Sequence, residues 1–217
     1  MEPSPAVGIR LEIVPDAEIF RVALFKNTVI RDRLEECALL HSGVRISFLD
    51  ESSGVASHFN FETGIRSYVQ KLNVGRTPLH AVAVFKGEEQ GVSFEVGIQF
   101  CAERREIIRG YVNDYRCDMG THLTGIRIAL TKSLKKAART SGSFSQMSIR
   151  WASKDKGLTS VISIRISNPQ YYGATKHKLR SPSVRKVLTT EIGKCLDKFF
   201  ADDPDAAASI IREGLHE

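Results

Sequence analysis

Val92-Ser93-Phe94-Glu95-Val96-Gly97-Ile98-Gln99-Phe100 sets an apolar side chain at every second place across nine positions. Successive side chains of a strand point to opposite faces, so this stretch predicts a strand with one face in a core. Residues 79–86 read as its antiparallel partner, with the Gly-Glu-Glu-Gln-Gly stretch at 87–91 as the turn between them. Downstream, Glu106 to Val112 adds a strand. The β-branched run from Leu158 to Ile166 suits a central strand that Pro169 ends.

Helical spacing surrounds these strands. Residues 121–139 carry Leu123, Ile126, Ile128, Ala129, Leu130, Leu134 and Ala137 on one side, with Thr121 expected as the cap. Ser183 to Phe200 is amphipathic, and a last helix begins near Asp203-Pro204-Asp205, with Pro well placed in its first turn. Upstream, residues 8–14 alternate as a half-buried strand does, and Asn27 is expected to cap a helix over 28–41. Val44 to Leu49 and Ala56 to Phe61 form a hairpin pattern around a turn at 50–54, and residues 63–73 suit a short helix. Residues 140–156 read as a surface loop. Strand pairs mixed with helices, without regular βαβα alternation, predict an α+β domain: a mixed sheet with helices packed on one face.

The 217 residues allow one large domain, or a domain with an attached piece. Hydrophobic residues at 42% and charged residues at 26% are the balance of a folded chain. No apolar run approaches the roughly 20 residues that cross a bilayer, and the N-terminus lacks a basic region followed by an apolar one. A cytoplasmic location without membrane contact is expected. Cys37, Cys101, Cys117 and Cys195 form no C-x-x-C pair, so they read as reduced core residues and not as a metal site. Charge is uneven. Residues 1–100 carry 10 basic and 13 acidic groups, or −3, and residues 101–217 carry 21 and 12, or +9. A basic half favours a polyanion such as nucleic acid or nucleotide phosphate.

Phosphate-loop, dinucleotide, nucleophile-elbow and zincin motifs are all absent. His122 reads as a packed or capping side chain. Glu88-Glu89 and Asp202-Asp203 read as solvated turn residues. One segment stands out: Gly173-Ala174-Thr175-Lys176-His177-Lys178-Leu179, a Gly-led loop with two lysines before a helix start at Ser181-Pro182-Ser183. A lysine there can present a compact charge with three donors to a phosphate.

Asn168-Pro169-Gln170-Tyr171-Tyr172-Gly173-Ala174-Thr175-Lys176-His177-Lys178-Leu179 resembles the D-P-x-F-x-x-Q-T-K-x-K-L segment of the ATPase subunits of bacterial type IIA topoisomerases, the B-type subunits of DNA gyrase and topoisomerase IV. Gly120-Thr121-His122-Leu123-Thr124-Gly125-Ile126-Arg127 is similar to their G-T-H-x-x-G-F-R signature. Leu40-His41-Ser42-Gly43-Val44-Arg45-Ile46 parallels L-N-S-G-V-x-I, Phe61-Glu62-Thr63-Gly64-Ile65 parallels F-x-G-G-I, and Thr77-Pro78-Leu79-His80 matches T-P-L-H. Pro15-Asp16-Ala17-Glu18-Ile19-Phe20 matches P-D-x-x-I-F. Six ordered matches run from Pro15 to Leu179. The departures are Ala174 for the family's Gln, Asn168 for its Asp and Ile126 for its Phe.

The resemblance implies the transducer region, with the fold of the second domain of ribosomal protein S5. Residues 1–20 would then be the C-terminal remnant of a GHKL ATP-binding domain and residues 21–217 the transducer, its final helix leading out toward a cleavage-and-religation region. It implies part of an ATP-hydrolysing DNA topoisomerase, an isomerase that couples ATP to DNA strand passage and is inactive as this chain alone. Lys176 is carried over as the catalytic γ-phosphate contact, with Thr175 beside it at the nucleotide. ATP would be held mainly by the absent domain, with Mg2+ in the full-length enzyme only. Double-stranded DNA, a DNA-cleaving A-type subunit and homodimerisation of the full-length B-type subunit are the implied partners. Lys132, Lys135, Lys136 and Arg139 on the long helix, with Lys178, Arg180, Arg185 and Lys186 near the loop, are candidates to meet DNA phosphates. An alternative is a stand-alone S5-like module binding nucleic acid non-specifically. A mismatch-repair or chaperone ATPase shares the two-domain arrangement, but the G-T-H and T-P-L-H matches argue against it.

Overall fold

The computed structural model describes residues 8–16, 18–19, 25–140 and 157–214. In chain order its elements are α1 (Asn27–Leu40), β1 (Arg45–Asp50), β2 (Val55–Asn60), α2 (Ile65–Leu72), β3 (Ala83–Glu89), β4 (Val92–Phe100), β5 (Ile107–Val112), β6 (Tyr115–Arg116), β7 (Met119–Gly120), α3 (Thr121–Thr140), β8 (Leu158–Ile166), β9 (Lys178–Leu179), α4 (Pro182–Asp202) and α5 (Pro204–Gly214). A five-stranded sheet in the order β3-β4-β8-β5-β6 carries the core, so β8 is central as its β-branched run requires. β4 is antiparallel to β3 and β8, whereas β5 is parallel to β8 with α3 as the crossover. The sheet is mixed and the domain is α+β, as expected.

Alternation along β4 divides the molecule. Val92, Phe94, Val96, Ile98 and Phe100 pack with residues of α3, α4 and α5 in the main core. Each fully buried aliphatic or aromatic side chain contributes about 1.5–3 kcal/mol, so this face anchors the fold. The opposite face is not bare. Gly97 lies beneath Ile65 and Val69 of α2, and Leu39, Leu40, Tyr68, Tyr111 and Val161 complete a smaller core there. Helices on one face therefore describes α3–α5, and α1 and α2 cover the other. The Tyr68 and Tyr111 hydroxyls lie 2.8 Å apart and each donates to Glu36 Oε1 at 3.0 Å. Burial pushes the Tyr68 phenol up to about 12 and the Tyr111 phenol up further, so both remain protonated donors.

Several local expectations are revised. Residues 8–14 form no strand, and Ile9, Leu11, Ile13 and Val14 are exposed, since no strand among the described residues pairs with them. Asn27 is the first helical residue and not the cap, a place Lys26 takes, and its side-chain amide donates to Asp50 Oδ2 at 2.5 Å. Thr121 likewise begins α3 from within, after Gly120. The β3–β4 connection is only Gln90-Gly91, both at positive φ, the two-residue turn whose twist suits a hairpin. β3 begins at Ala83 and not at 79, because the His80 ring folds in and its Nε2 accepts the Phe100 N–H at 3.0 Å, replacing a strand carbonyl. Burial lowers the His80 pKa, which keeps that nitrogen an acceptor. The loop expected at 140–156 lies outside the described residues beyond Thr140. Among the described residues no helix is long and apolar enough to cross a membrane.

A Cβ on Gly97 would stand 2.6 Å from Ile65 Cγ2 and 2.9 Å from Val69 Cγ2. Gly97→Val should therefore push α2 off the sheet and cost about 1–3 kcal/mol, read as a lower urea midpoint with an unchanged m-value.

Candidate functional site

After β8 the chain makes a narrow-necked loop before α4. Tyr171 bridges to Leu179, the Tyr172 N–H donates to Lys178 O at 2.9 Å, and the Arg180 N–H donates to Gln170 O at 2.7 Å. The Gln170 N–H is taken by Ser181 Oγ at 3.0 Å. Beyond the neck, β9 pairs in parallel with β7, matching Met119 to Lys178 and Gly120 to Leu179. Gly120 stands at φ +126, where a Cβ would overlap the Leu179 backbone, so only glycine permits this pairing. Gly125, one turn into α3, lies against Arg185 and Leu188 and lets α4 approach closely. The two helices then run in the same direction, with Thr189 Oγ1 donating to Gly125 O, Ser133 Oγ donating to Gly193 O, and Lys136 bonding Asp197. Neither carries an acid in its first turn, so two positive helix ends stand together beside the loop.

The loop tip, Gly173 to His177, is exposed throughout. Lys176 adopts φ +54, a left-handed conformation that costs a non-glycine residue roughly 1–2 kcal/mol. Its Nζ sits 5.0 Å from the centroid of the Tyr115 ring. Lys178 Nζ and Arg180 lie 4.8 Å and 5.2 Å from the Tyr172 centroid. Among the described residues no carboxylate pairs with Lys176 or Lys178 within 4 Å. Thr175 and Ala174 flank the lysine at the surface. The tip thus offers an anion an exposed ammonium that pairs with no carboxylate among the described residues, a fit to phosphate and not to a whole nucleotide.

His122 is fully buried, and its Nε2 donates to Cys117 O at 2.8 Å. Burial pushes its pKa down to about 4, so it is neutral at pH 7 and ties α3 to the connector between β6 and β7. The G-T-H-x-x-G pattern is thereby a packing device, with one glycine at β9, a histidine on Cys117 and a second glycine at α4. Among the described residues no three His, Cys, Asp or Glu side chains group to hold a metal.

The eight basic candidates fall into two sets. Lys132, Lys135, Lys136 and Arg139, with Thr140, line one shallow groove of about 350 Å³. Lys136 is already bonded to Asp197 at 2.6 Å. Lys178 and Arg180 stand on Tyr172, and Arg185 and Lys186 are exposed in the first turns of α4. Arg185 lies against Gly125, so the first set begins seven residues farther along α3, roughly 10 Å at 1.5 Å per residue. The tyrosine rings under the loop cations were not expected. Asn113-Asp114, a turn dipeptide ahead of Tyr115, and the Tyr171-Tyr172 pair were the available signals.

The sequence model of the DNA gyrase B family matches residues 64–217. The B-type subunit of DNA gyrase from Haloferax volcanii is 35% identical over 99% of this chain, and the B-type subunit of DNA topoisomerase 4 from Streptococcus pneumoniae is 33% identical over 98%. The chain spans about a third of the length of both, 34% in each case. The 43K ATPase domain of Thermus thermophilus gyrase B, solved with an aminocoumarin, superposes with a TM-score of 0.80 at 28% identity, over 93% of this chain and 55% of that one.

The depressed His122 pKa sets a pH dependence. Unfolded histidine titrates near 6.5 and the folded one near 4, so the unfolded chain holds the extra proton between these values. The stability linked to His122 is fully present above about pH 7 and should fall as pH drops from 6.5 through 4, by an amount approaching about 3 kcal/mol. Urea unfolding at pH 7 and pH 4.5 should show a shallower loss in His122→Gln. An identical loss in both proteins would assign the acid limb to other groups.

Proposed function

The chain belongs to the DNA gyrase B family, and on that premise we propose that it is the transducer segment of an ATP-dependent type II DNA topoisomerase. Residues 21–217 act as the transducer, and residues 1–20 close the ATP-binding domain that precedes it. The observation that carries the reading is Lys176: exposed at the tip of a loop whose neck is locked by backbone hydrogen bonds, with its ammonium shared with no carboxylate among the described residues.

Bound ATP supplies a terminal phosphate that is present before hydrolysis and gone after it. Lys176 holds a positive charge toward that position, and Thr175 adds a hydroxyl beside it. Ala174 contributes no side-chain hydrogen bond, so Lys176 carries a larger share of the contact than its counterpart beside a glutamine would. A pull on the loop passes through Leu179 and Ser181 directly into α4, and through β7 into α3. Loss of the contact frees the segment to rotate against its neighbour, a phosphate-held switch. ATP and Mg2+ are held mainly by the remainder of the full-length protein, which is cytoplasmic, dimeric and paired with an A-type DNA-cleaving subunit. The basic groove on α3 and the cations at the start of α4 line the path of duplex DNA by meeting its phosphates without reading sequence.

This chain alone should hydrolyse no ATP. Joined to an ATP-binding domain of the family it should raise hydrolysis, and Lys176→Ala should remove that gain, roughly ten- to hundredfold, as expected for a charged hydrogen bond of about 1.5–3 kcal/mol. Hydrolysis untouched by Lys176→Ala would exclude the phosphate contact.

DNA binding supplies a second check. Replacing Lys132, Lys135 and Arg139 together by Gln should weaken duplex binding equally across sequences. The slope of log affinity against log salt should fall by about one per lost phosphate contact. An unchanged slope would remove the groove from the DNA path, and tight ATP-independent binding by the lone chain would favour a stand-alone nucleic-acid module.

A further inference from the structure

The geometry points to Tyr115 as the residue that positions the Lys176 ammonium, through its π-face. This rests on the reading of Lys176 as the phosphate contact and adds a residue to it. Tyr115 opens β6, immediately after the turn Asn113-Asp114, whose residues stand at φ +49 and +66. The turn is fastened on three sides. Asn113 exchanges two side-chain hydrogen bonds with the Ile166 backbone, at 2.8 and 2.9 Å, and its N–H donates to Ile164 O at 2.9 Å. From α1, Arg33 donates to Asp114 O, and His41 Nε2 lies 3.2 Å from Asp114 Oδ1. A ring on so firmly held a hairpin is a fixed platform.

Lys176 meets that platform from the other side. Its neck is pinned by the β7–β9 pairing, and its left-handed backbone directs the side chain so that Nζ comes 5.0 Å from the ring centroid. Lysine on a loop tip samples many rotamers, and a phosphate contact gains from any device that narrows them. A carboxylate would narrow them too, but it would neutralise the charge and occupy the donors. A ring quadrupole attracts the cation from one side and accepts no conventional hydrogen bond, so the three N–H groups stay available. Lys178 and Arg180 stand on Tyr172 by the same logic, so all three cations from Lys176 to Arg180 rest on aromatic faces. Tyr115 is a positioning residue: it acts on the nucleotide only through Lys176.

The test uses this chain joined to an ATP-binding domain of the family. Tyr115→Leu should reduce affinity for a non-hydrolysable ATP analogue about two- to fivefold, the scale of one exposed cation–π contact. Affinity for ADP should be unchanged, because only the terminal phosphate is involved. Tyr115→Phe keeps the π-face and should retain the ATP preference. NMR of this chain adds a measurement that needs no nucleotide: the Lys176 ε-methylene protons should be shifted upfield by the ring, and Tyr115→Leu should abolish the shift. Tyr115→Phe as weak as Tyr115→Leu, or no upfield shift in the unsubstituted chain, overturns the proposal. So does a Tyr115→Leu protein with full ATP preference while Lys176→Ala loses it, and that pattern leaves the phosphate contact standing. No effect of Lys176→Ala removes the phosphate contact itself, and the role of Tyr115 with it.

Discussion

The backbone approach of Gly120 to Leu179 is the constraint from which the functional end of this molecule follows. Two short strands can pair in parallel there only because residue 120 has no side chain and tolerates positive φ. Each of these strands leads straight into a long helix. Pairing them therefore starts α3 and α4 side by side and pointing the same way, and Gly125 keeps them close along their length. The loop carrying Lys176 closes on the same residues. A single contact of main chains thus sets the spacing of two helix starts and the stance of the basic loop.

Charge on this chain is handled in two distinct ways. On the second face of the sheet, half-buried Glu36 accepts from two buried tyrosine hydroxyls, with the more exposed Arg33 at 3.0 Å and Arg116 at 3.8 Å, so the carboxylate joins the inner tyrosines to two outer cations. At the loop, Lys176, Lys178 and Arg180 pair with no acid among the described residues and lie on rings, retaining their charge. The first arrangement stabilises a fold, and the second leaves cations able to bind something else. α1 belongs to both, since Arg33 and His41 also grip the turn that carries Tyr115.

Much of this was legible in residues. The alternation from Val92 to Phe100, the β-branched run ending at Ile166 and the apolar stripes of the long helices reappear in the places expected, because burial on one face imposes a period of 2 or 3.6 that sequence displays directly. The six motif matches pointed to the family before any contact was visible. The misreadings share a cause. Residues 8–14 carry a strand's alternation, yet a strand also needs a partner, and none is present among the described residues. Asn27 and Thr121 have the chemistry of caps, but Asp50 takes the Asn27 amide and Gly120 fills the place before Thr121. His80 shortens β3 by placing its ring nitrogen in the ladder as an acceptor. Each outcome depends on a neighbour that local pattern does not weigh.

By itself the sequence determined which segments are strands or helices, which side of each is apolar, and which family the chain is descended from, since these rest on local periodicity and on ordered motifs. Only the tertiary structure decided that α2 covers the back of the sheet through Gly97, that the eight basic candidates divide between the two ends of α3, and that a tyrosine sixty-one residues upstream lies beneath Lys176. Those facts are contacts between distant residues, set by strand order and by the one pairing of β7 with β9. No local pattern of amino acids encodes which distant ring an ammonium will meet.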